Sequence, residues 1–114
     1  MISKTLDEVA IVDNPHHVDA RNVYSREPLS ITVITLKPGQ SLKRHITPVD
    51  VAFYVLTGLG VVEIGDDQEQ VGPDTLIESP KGIMHCWRNE SSDPLRFMVI
   101  KVPRPTEKTV LLED

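Results

Sequence analysis

The chain has 114 residues, of which 39 % are hydrophobic and 25 % are charged, and its formal net charge is −5. This length and balance are typical of a single globular domain, which we expect to span residues 1–114. Basic residues form no run longer than Lys43-Arg44, and the longest apolar stretch covers only residues 51–56, which argues against a nucleic-acid face and against a membrane span.

Cysteine usage and the first residues of the sequence bear on where the protein works. Cys86 is the only cysteine, so an intrachain disulfide is impossible. Asp7 and Glu8 stand where a signal peptide would need its apolar segment. We therefore expect a cytoplasmic protein that has neither nucleic acid nor a membrane among its partners.

Short runs rich in β-branched residues alternate with turn signals built on glycine and proline. These runs predict strands at residues 9–12, 20–24, 31–36, 41–46, 51–57, 60–64, 75–79, 84–88 and 95–102. The residues after Gln68 should pair with 60–64 as a hairpin around Gly65-Asp66-Asp67. Thr5 to Glu8 has the form of a capping box and predicts one helical turn. Many short strands at this spacing predict an all-β sandwich or barrel.

The last part of the sequence, residues 103–114, differs from the strands that precede it. Pro103 and Pro105 exclude a central strand there, and the apolar triplet Val110-Leu111-Leu112 follows them. We expect this tail to pack on its own barrel or to reach a partner subunit, with disorder as the alternative.

Two segments have characteristic spacings of glycine, proline and histidine residues, and these spacings are informative when they are considered together. In the first, Gly39 is followed by His45 and then by Gly58. In the second, residues 80–89 place Pro80, Gly82, His85 and Asn89 in the order Pro-x-Gly, two residues, His, three residues, Asn.

These segments resemble the two sequence motifs of small, stand-alone cupins of the RmlC-like superfamily. The resemblance implies a double-stranded β-helix, or jelly-roll barrel, over about residues 31–102, with short N-terminal and C-terminal extensions. It also implies a homodimer, as is usual in that family. One departure is Asp74, which stands where the second motif has a glycine.

In cupins, three histidines and one glutamate from these motifs hold a divalent metal such as Fe, Mn, Ni, Cu or Zn. His45 and His85 match two of those positions, whereas Thr47 and Val51 occupy the other two and are not comparable ligands. Asp50 adjoins the lost carboxylate position, but its side chain should point to the opposite face unless Pro48 shifts the register. The expected ligand set is therefore half complete, with Asp50 as a less favoured third member.

Strand alternation places further residues beside the histidines. Because alternate residues share a face, we expect Thr47, Phe53 and Trp87 to lie in the same pocket. Lys43 shares this parity with His45 and would favour an anion at the pocket mouth, although a solvated lysine is the simpler expectation.

Histidines and a cysteine outside the two matched ligand positions have simpler interpretations. His16 and His17 could reach a neighbouring site, but a surface role is favoured. Cys86 should face away from His85 and serve packing rather than catalysis.

Three functions remain open at this point. The leading hypothesis is a cupin that binds a small molecule in its barrel pocket, with or without a divalent metal held by the incomplete ligand set. The first alternative is an enzyme, either a metal-dependent one of the dioxygenase or the sugar and carbonyl isomerase type, or a metal-free isomerase that uses His85 as general acid and base. The second is a structural or interaction protein whose barrel is filled by Trp87, Phe53 and Met84.

Overall fold

The computed structural model of the chain describes residues 1–112. A single 3-10 turn, Leu6–Glu8, precedes ten strands. The strands are β1 (Asp19–Arg26), β2 (Leu29–Leu36), β3 (Ser41–Ile46), β4 (Asp50–Thr57), β5 (Gly60–Ile64), β6 (Asp67–Val71), β7 (Leu76–Ser79), β8 (Met84–Arg88), β9 (Leu95–Val102) and β10 (Val110–Leu111).

The strands form two five-stranded antiparallel sheets that face each other. The first sheet has the order β1-β2-β9-β4-β7 and the second has the order β10-β3-β8-β5-β6. Along β4, the side chains of Val51, Phe53 and Val55 are buried and alternate with more exposed neighbours, because successive strand residues point to opposite faces. The predicted all-β architecture is confirmed.

The predicted elements agree with the observed ones at most positions. Strands β3, β5, β8 and β9 have the predicted bounds, and the hairpin of β5 and β6 turns at the predicted glycine, Gly65. The strand predicted at residues 9–12 was wrong. The segment forms no ladder: the Val12 N–H bonds to the carbonyl of Ala20, and the Val9 carbonyl accepts only from the side chain of Arg21. Ile11 is exposed, so no sheet face buries the run.

Strand β3 contains a β-bulge that changes which side chains enter the barrel. Leu42 pairs with Trp87 and His45 pairs with His85, so three steps along β3 match two steps along β8. Leu42 and His45 are both buried, whereas the two residues between them are exposed. A bulge of this kind re-aims the side chains beyond it.

Aromatic side chains fill one part of the space between the sheets. Trp87 and Phe97 stack with ring centroids 4.2 Å apart, and Phe53 meets Trp87 edge to face at 5.4 Å. All three are fully buried, and Leu36 and Leu95 pack in the same core cluster. Such aromatic contacts add stabilisation beyond that of the buried area alone.

The C-terminal tail packs on its own barrel. Val110 and Leu111 form β10, which pairs with Ile46 and His45 and so covers the outer edge of β3. Of the predicted tail, Glu113 and Asp114 lie outside the described residues. None of the helical structure in residues 1–112 is long and apolar enough to cross a membrane.

The turn between β4 and β5 depends on Gly58. Its φ of +88° is in the left-handed region, and a Cβ atom there would stand 2.3 Å from the carbonyl oxygen of Pro94. Gly39 has a similar φ of +86°, but a Cβ atom there would meet nothing within 4 Å. Both glycines therefore have a strained backbone conformation, but a side chain would meet a steric clash only at Gly58.

We predict that Gly39→Ala lowers the free energy of unfolding by about 1 kcal/mol, the cost of a left-handed alanine. Gly58→Ala should lower it by at least about 2 kcal/mol more, because the backbone at Pro94 must also move. Urea unfolding followed by circular dichroism measures both values. Equal losses in the two variants would show that the approach of Pro94 does not constrain this turn.

Candidate functional site

A cavity of about 190 Å³ lies between the two sheets. Its apolar wall combines residues of both sheets with residues of the segment before β1, and it includes Val18, Ala20, Ile34, Leu42, Phe53 and Val99. Its polar residues include His16, Thr32, His45, Thr47, His85 and Lys101. An apolar wall with a few converging polar groups is typical of a small-molecule site. A larger groove of about 900 Å³ lies beside the N-terminal segment, but it contains none of these converging groups.

His45 and His85 face each other across the pairing of β3 and β8, with ring centroids 4.3 Å apart. His45 Nδ1 lies 2.6 Å from the carbonyl oxygen of Lys43, which can only accept, so Nδ1 carries the proton. In the neutral ring, Nε2 therefore keeps its lone pair and has no hydrogen-bond partner within residues 1–112. Burial lowers the pKa of His45, which favours this neutral form.

His85 is held at both ring nitrogens by hydroxyl groups. Nδ1 lies 2.7 Å from Ser79 Oγ and Nε2 lies 3.1 Å from Thr47 Oγ1. All three residues are buried. Burial, reinforced by the neighbouring His45, lowers the pKa of His85 to about 3. The ring is therefore neutral at physiological pH and fixed in position.

A third imidazole enters the cavity from the segment before β1. The Asn14 side chain organises this segment: its Oδ1 accepts the N–H groups of His16 and Val18, at 3.2 Å each. His16 Nδ1 accepts the N–H of Lys43 at 2.8 Å, and its ring lies 4.9 Å from that of His45. Burial, followed by repulsion from His45, lowers the pKa of His16 to about 4.

Lys101 is the one cationic side chain among the described residues that line the cavity. It lies on β9, the central strand of the first sheet, two positions after the buried Val99. Burial lowers the pKa of its ammonium group. None of the described lining residues is an aspartate or a glutamate.

Sequence reasoning placed two pocket residues where the structure has them. Thr47 and Phe53 both line the cavity. Thr47 contacts His85, and the Phe53 ring meets the His85 ring edge to face at 5.1 Å. Both metal-ligand candidates, His45 and His85, also line it.

Three other candidates lie elsewhere. Lys43 is exposed and does not line the cavity, because the bulge in β3 breaks the alternation that linked it to His45. Trp87 points inward but is fully buried against Phe97 in the aromatic core, so it is not a cavity wall. Asp50 is exposed, and its Oδ1 accepts the N–H of Lys81 at 2.8 Å.

His16 and Lys101 are the site residues that the sequence pattern signals most weakly. His16 reaches the cavity through the turn at Asn14-Pro15, which no strand pattern predicts. The position of Lys101 could have been predicted from the sequence, because Lys101 continues the inward alternation of Phe97 and Val99 along a strand with correctly predicted bounds.

The donor set does not fit a tightly held divalent metal. Within residues 1–112, no group of three or more histidine, cysteine, aspartate or glutamate side chains is arranged to hold an ion. Nε2 of His85 is engaged by Thr47, and Lys101 adds a positive charge to the same cavity. Asp50 therefore does not replace either of the two metal-ligand positions that Thr47 and Val51 occupy.

Comparison with known proteins identifies the family. Residues 32–101 match the sequence model of the cupin domain, and this match covers more than half of the chain. The chain therefore belongs to the cupin family, as the two motifs predicted. A comparison with curated proteins found no significant match.

Solved structures show the same fold. The protein TT1209 from Thermus thermophilus is 32 % identical, with a TM-score of 0.78, over 92 % of this chain and 100 % of that one. An uncharacterised protein from Klebsiella pneumoniae with a double-stranded β-helix domain is 18 % identical, with a TM-score of 0.81, over 98 % and 97 % of the two chains. The polyketide cyclase RemF from Streptomyces resistomycificus is 22 % identical, with a TM-score of 0.84, over 100 % and 87 %. At the identities of the last two, the likeness concerns the fold alone.

We predict that His85 makes stability depend on pH below neutrality. Its pKa of about 3 in the folded protein lies below the ordinary histidine value of 6.5, so protons favour the unfolded chain. The stabilisation is complete above pH 6.5 and is lost as the pH falls towards 3, by about 2 kcal/mol at pH 5.

Urea unfolding at pH 7 and at pH 5 tests this. The difference between the two free energies should shrink by about 2 kcal/mol in His85→Gln and stay unchanged in His17→Gln, which removes an exposed histidine. If His85→Gln retains the full difference, His85 is not the group that titrates.

Proposed function

We propose that this cupin binds a small organic molecule directly in its barrel cavity, through side chains of the protein and without a metal bridge. The observation that carries the proposal is the cavity itself, in which three neutral imidazoles and Lys101 meet one apolar wall. Ligand sites in proteins combine these features: apolar surface provides affinity, and a few placed polar groups provide orientation.

The polar groups offer distinct hydrogen-bonding roles. Nε2 of His45 is an acceptor, as its Nδ1 proton is used on the Lys43 carbonyl. Because Nδ1 of His16 accepts a backbone N–H, its proton lies on Nε2, which is a donor. A ligand that has both an acceptor and a donor can therefore be oriented without any change in the protein.

The alternative of a filled barrel has less support. It required Trp87, Phe53 and Met84 to occupy the interior together. Instead, Trp87 packs against Phe97, and Phe53 has the aromatic core on one side and His85 on the other. Space remains beyond Phe53, and this favours a binding protein over a purely structural one.

The alternative of a metal-dependent enzyme needs a ligand set that these residues do not supply. With His85 engaged by two hydroxyls, His45 alone offers an unused imidazole nitrogen in the matched motif positions. Water would have to complete the coordination shell of Fe, Mn, Ni, Cu or Zn, which makes for weak binding.

We predict that chelator-treated protein binds none of Mn(II), Fe(II), Ni(II), Cu(II) or Zn(II) with micromolar or tighter affinity. Isothermal titration calorimetry at pH 7.5 measures this, with His45→Ala as the paired variant. Micromolar binding that disappears in His45→Ala would contradict the proposal and restore the metal-dependent alternative.

Small-molecule binding itself is tested through the histidines, of which the sequence has four. Three of them line the cavity, and His17 is exposed. In protein carrying ¹³C-labelled histidine, titration with a panel of small acids, amides and alcohols should shift the imidazole signals of His16, His45 and His85, but not that of His17.

A variant that fills the cavity is the control for this experiment. Ala20 is buried and lines the cavity, so Ala20→Leu should abolish the shifts and cost about 1–3 kcal/mol of stability through overpacking. Shifts that persist in folded Ala20→Leu would place binding outside the cavity. A panel without any effect on the wild-type signals would count against the proposed function.

A further inference from the structure

We propose that Lys101 anchors an anionic group, and that the ligand of the cavity is a small organic monocarboxylate. This inference rests on the proposed function, since it specifies the charge of the molecule that the same cavity binds. Three features support it: the position of Lys101, the charges around it, and the size of the space in front of it.

Lys101 is directed into the barrel by the alternation of its strand. Phe97 is fully buried and Val99 is 6 % exposed, and Lys101 occupies the next position of the same parity on β9. It pairs with Ser30 on β2 and with Val51 on β4, so it stands in the middle of the sheet. Both neighbours are buried, and the side chain extends into the cavity instead of over a sheet edge.

The described residues supply no counter-ion at this position. Within residues 1–112, the Lys101 side chain makes no hydrogen bond and no ion pair, and none of the described lining residues is acidic. Removing an ammonium group from water without a partner is unfavourable, which is why burial lowers its pKa. A carboxylate on the ligand would supply the missing partner and form a charge-assisted hydrogen bond.

The charges of the polar lining residues favour a ligand that has a single negative charge. The three imidazoles have lowered pKa values, about 4 for His16 and about 3 for His85, so Lys101 is the one charge in the described lining at neutral pH. The Nε2–H of His16 provides a second, uncharged donor for a carboxylate. A doubly charged phosphate would leave one charge uncompensated.

The size of the cavity favours a short molecule. The cavity volume of about 190 Å³ equals that of about six molecules of liquid water. Opposite the polar groups, Ile34, Phe53 and Val99 offer an apolar wall for a hydrocarbon group. Short-chain and small aromatic carboxylates combine one charge with such a group.

The test compares carboxylates with amides of the same shape in a buffer without carboxylate or phosphate, at pH 7.5. The probes are butanoate, 2-methylpropanoate and benzoate, each with its primary amide, and the histidine signals give the dissociation constants. We expect at least one carboxylate to bind at least tenfold more tightly than its amide.

Variants then assign the effect to the lysine. Lys101→Met keeps most of the unbranched side chain but removes the charged ammonium group, and it should weaken carboxylate binding at least tenfold while leaving amide binding unchanged. Lys81→Met, which removes an exposed lysine outside the cavity lining, should change neither. Lys101 is half-buried and has no partner for its charge within residues 1–112. Replacing it with an apolar side chain should preserve or raise the melting temperature, so Lys101→Met is expected to fold.

The outcomes separate this inference from the proposed function. If amides and carboxylates bind equally well, or if folded Lys101→Met binds carboxylates as the wild type does, Lys101 is not an anion anchor, but small-molecule binding stands. If neither class shifts His16, His45 or His85, both proposals fail. The comparison in the wild-type protein decides the matter even if Lys101→Met does not fold.

Discussion

The cavity depends on one extra residue in β3. Between Leu42 and His45 the strand advances by three positions while β8 advances by two, so two inward-facing side chains are separated by two outward-facing ones. Without this bulge, the alternation that buries Leu42 would turn His45 towards solvent. The bulge thus places the imidazole opposite His85, and it also turns the Lys43 carbonyl and N–H towards the rings of His45 and His16. One local irregularity thus positions His45 and helps to hold His16.

Phe53 divides the interior into two parts with different properties. On one side it meets Trp87 and Phe97, which are fully buried and stack on each other, and this part provides much of the apolar core. On the other side it meets His85, behind which Ser79 and Thr47 complete a buried polar group. The apolar wall of the cavity, which includes Leu42 and Val99, belongs to the same core cluster as the aromatic rings. One continuous core therefore supports both the barrel and the site that contains the half-buried Lys101.

Sequence reasoning recovered the barrel and the location of several residues that line the cavity. Strand bounds were best where turn signals flank a β-branched run, as for β5 and β9, and His45, His85, Thr47 and Phe53 lie where alternation and the family motifs placed them. The errors have physical causes. Lys43 does not line the cavity because the bulge in β3 breaks the alternation. Trp87 does not line it because the side chain lies in the aromatic core, and alternation predicts the face of a side chain but not its position along the barrel. His16 depends on hydrogen bonds of Asn14 that only the folded chain reveals.

The position of Trp87 has a consequence for spectroscopy. It is the only tryptophan in the sequence, it is fully buried, and its completely enclosed indole N–H has no hydrogen-bond partner within residues 1–112. An indole in this dry environment emits at a shorter wavelength than one in water. Because Phe53 lies between Trp87 and the cavity, the emission reports whether the aromatic core is intact and is shielded from the contents of the cavity. The protein thus carries an optical probe of its fold that is separate from the histidine signals that report on its site.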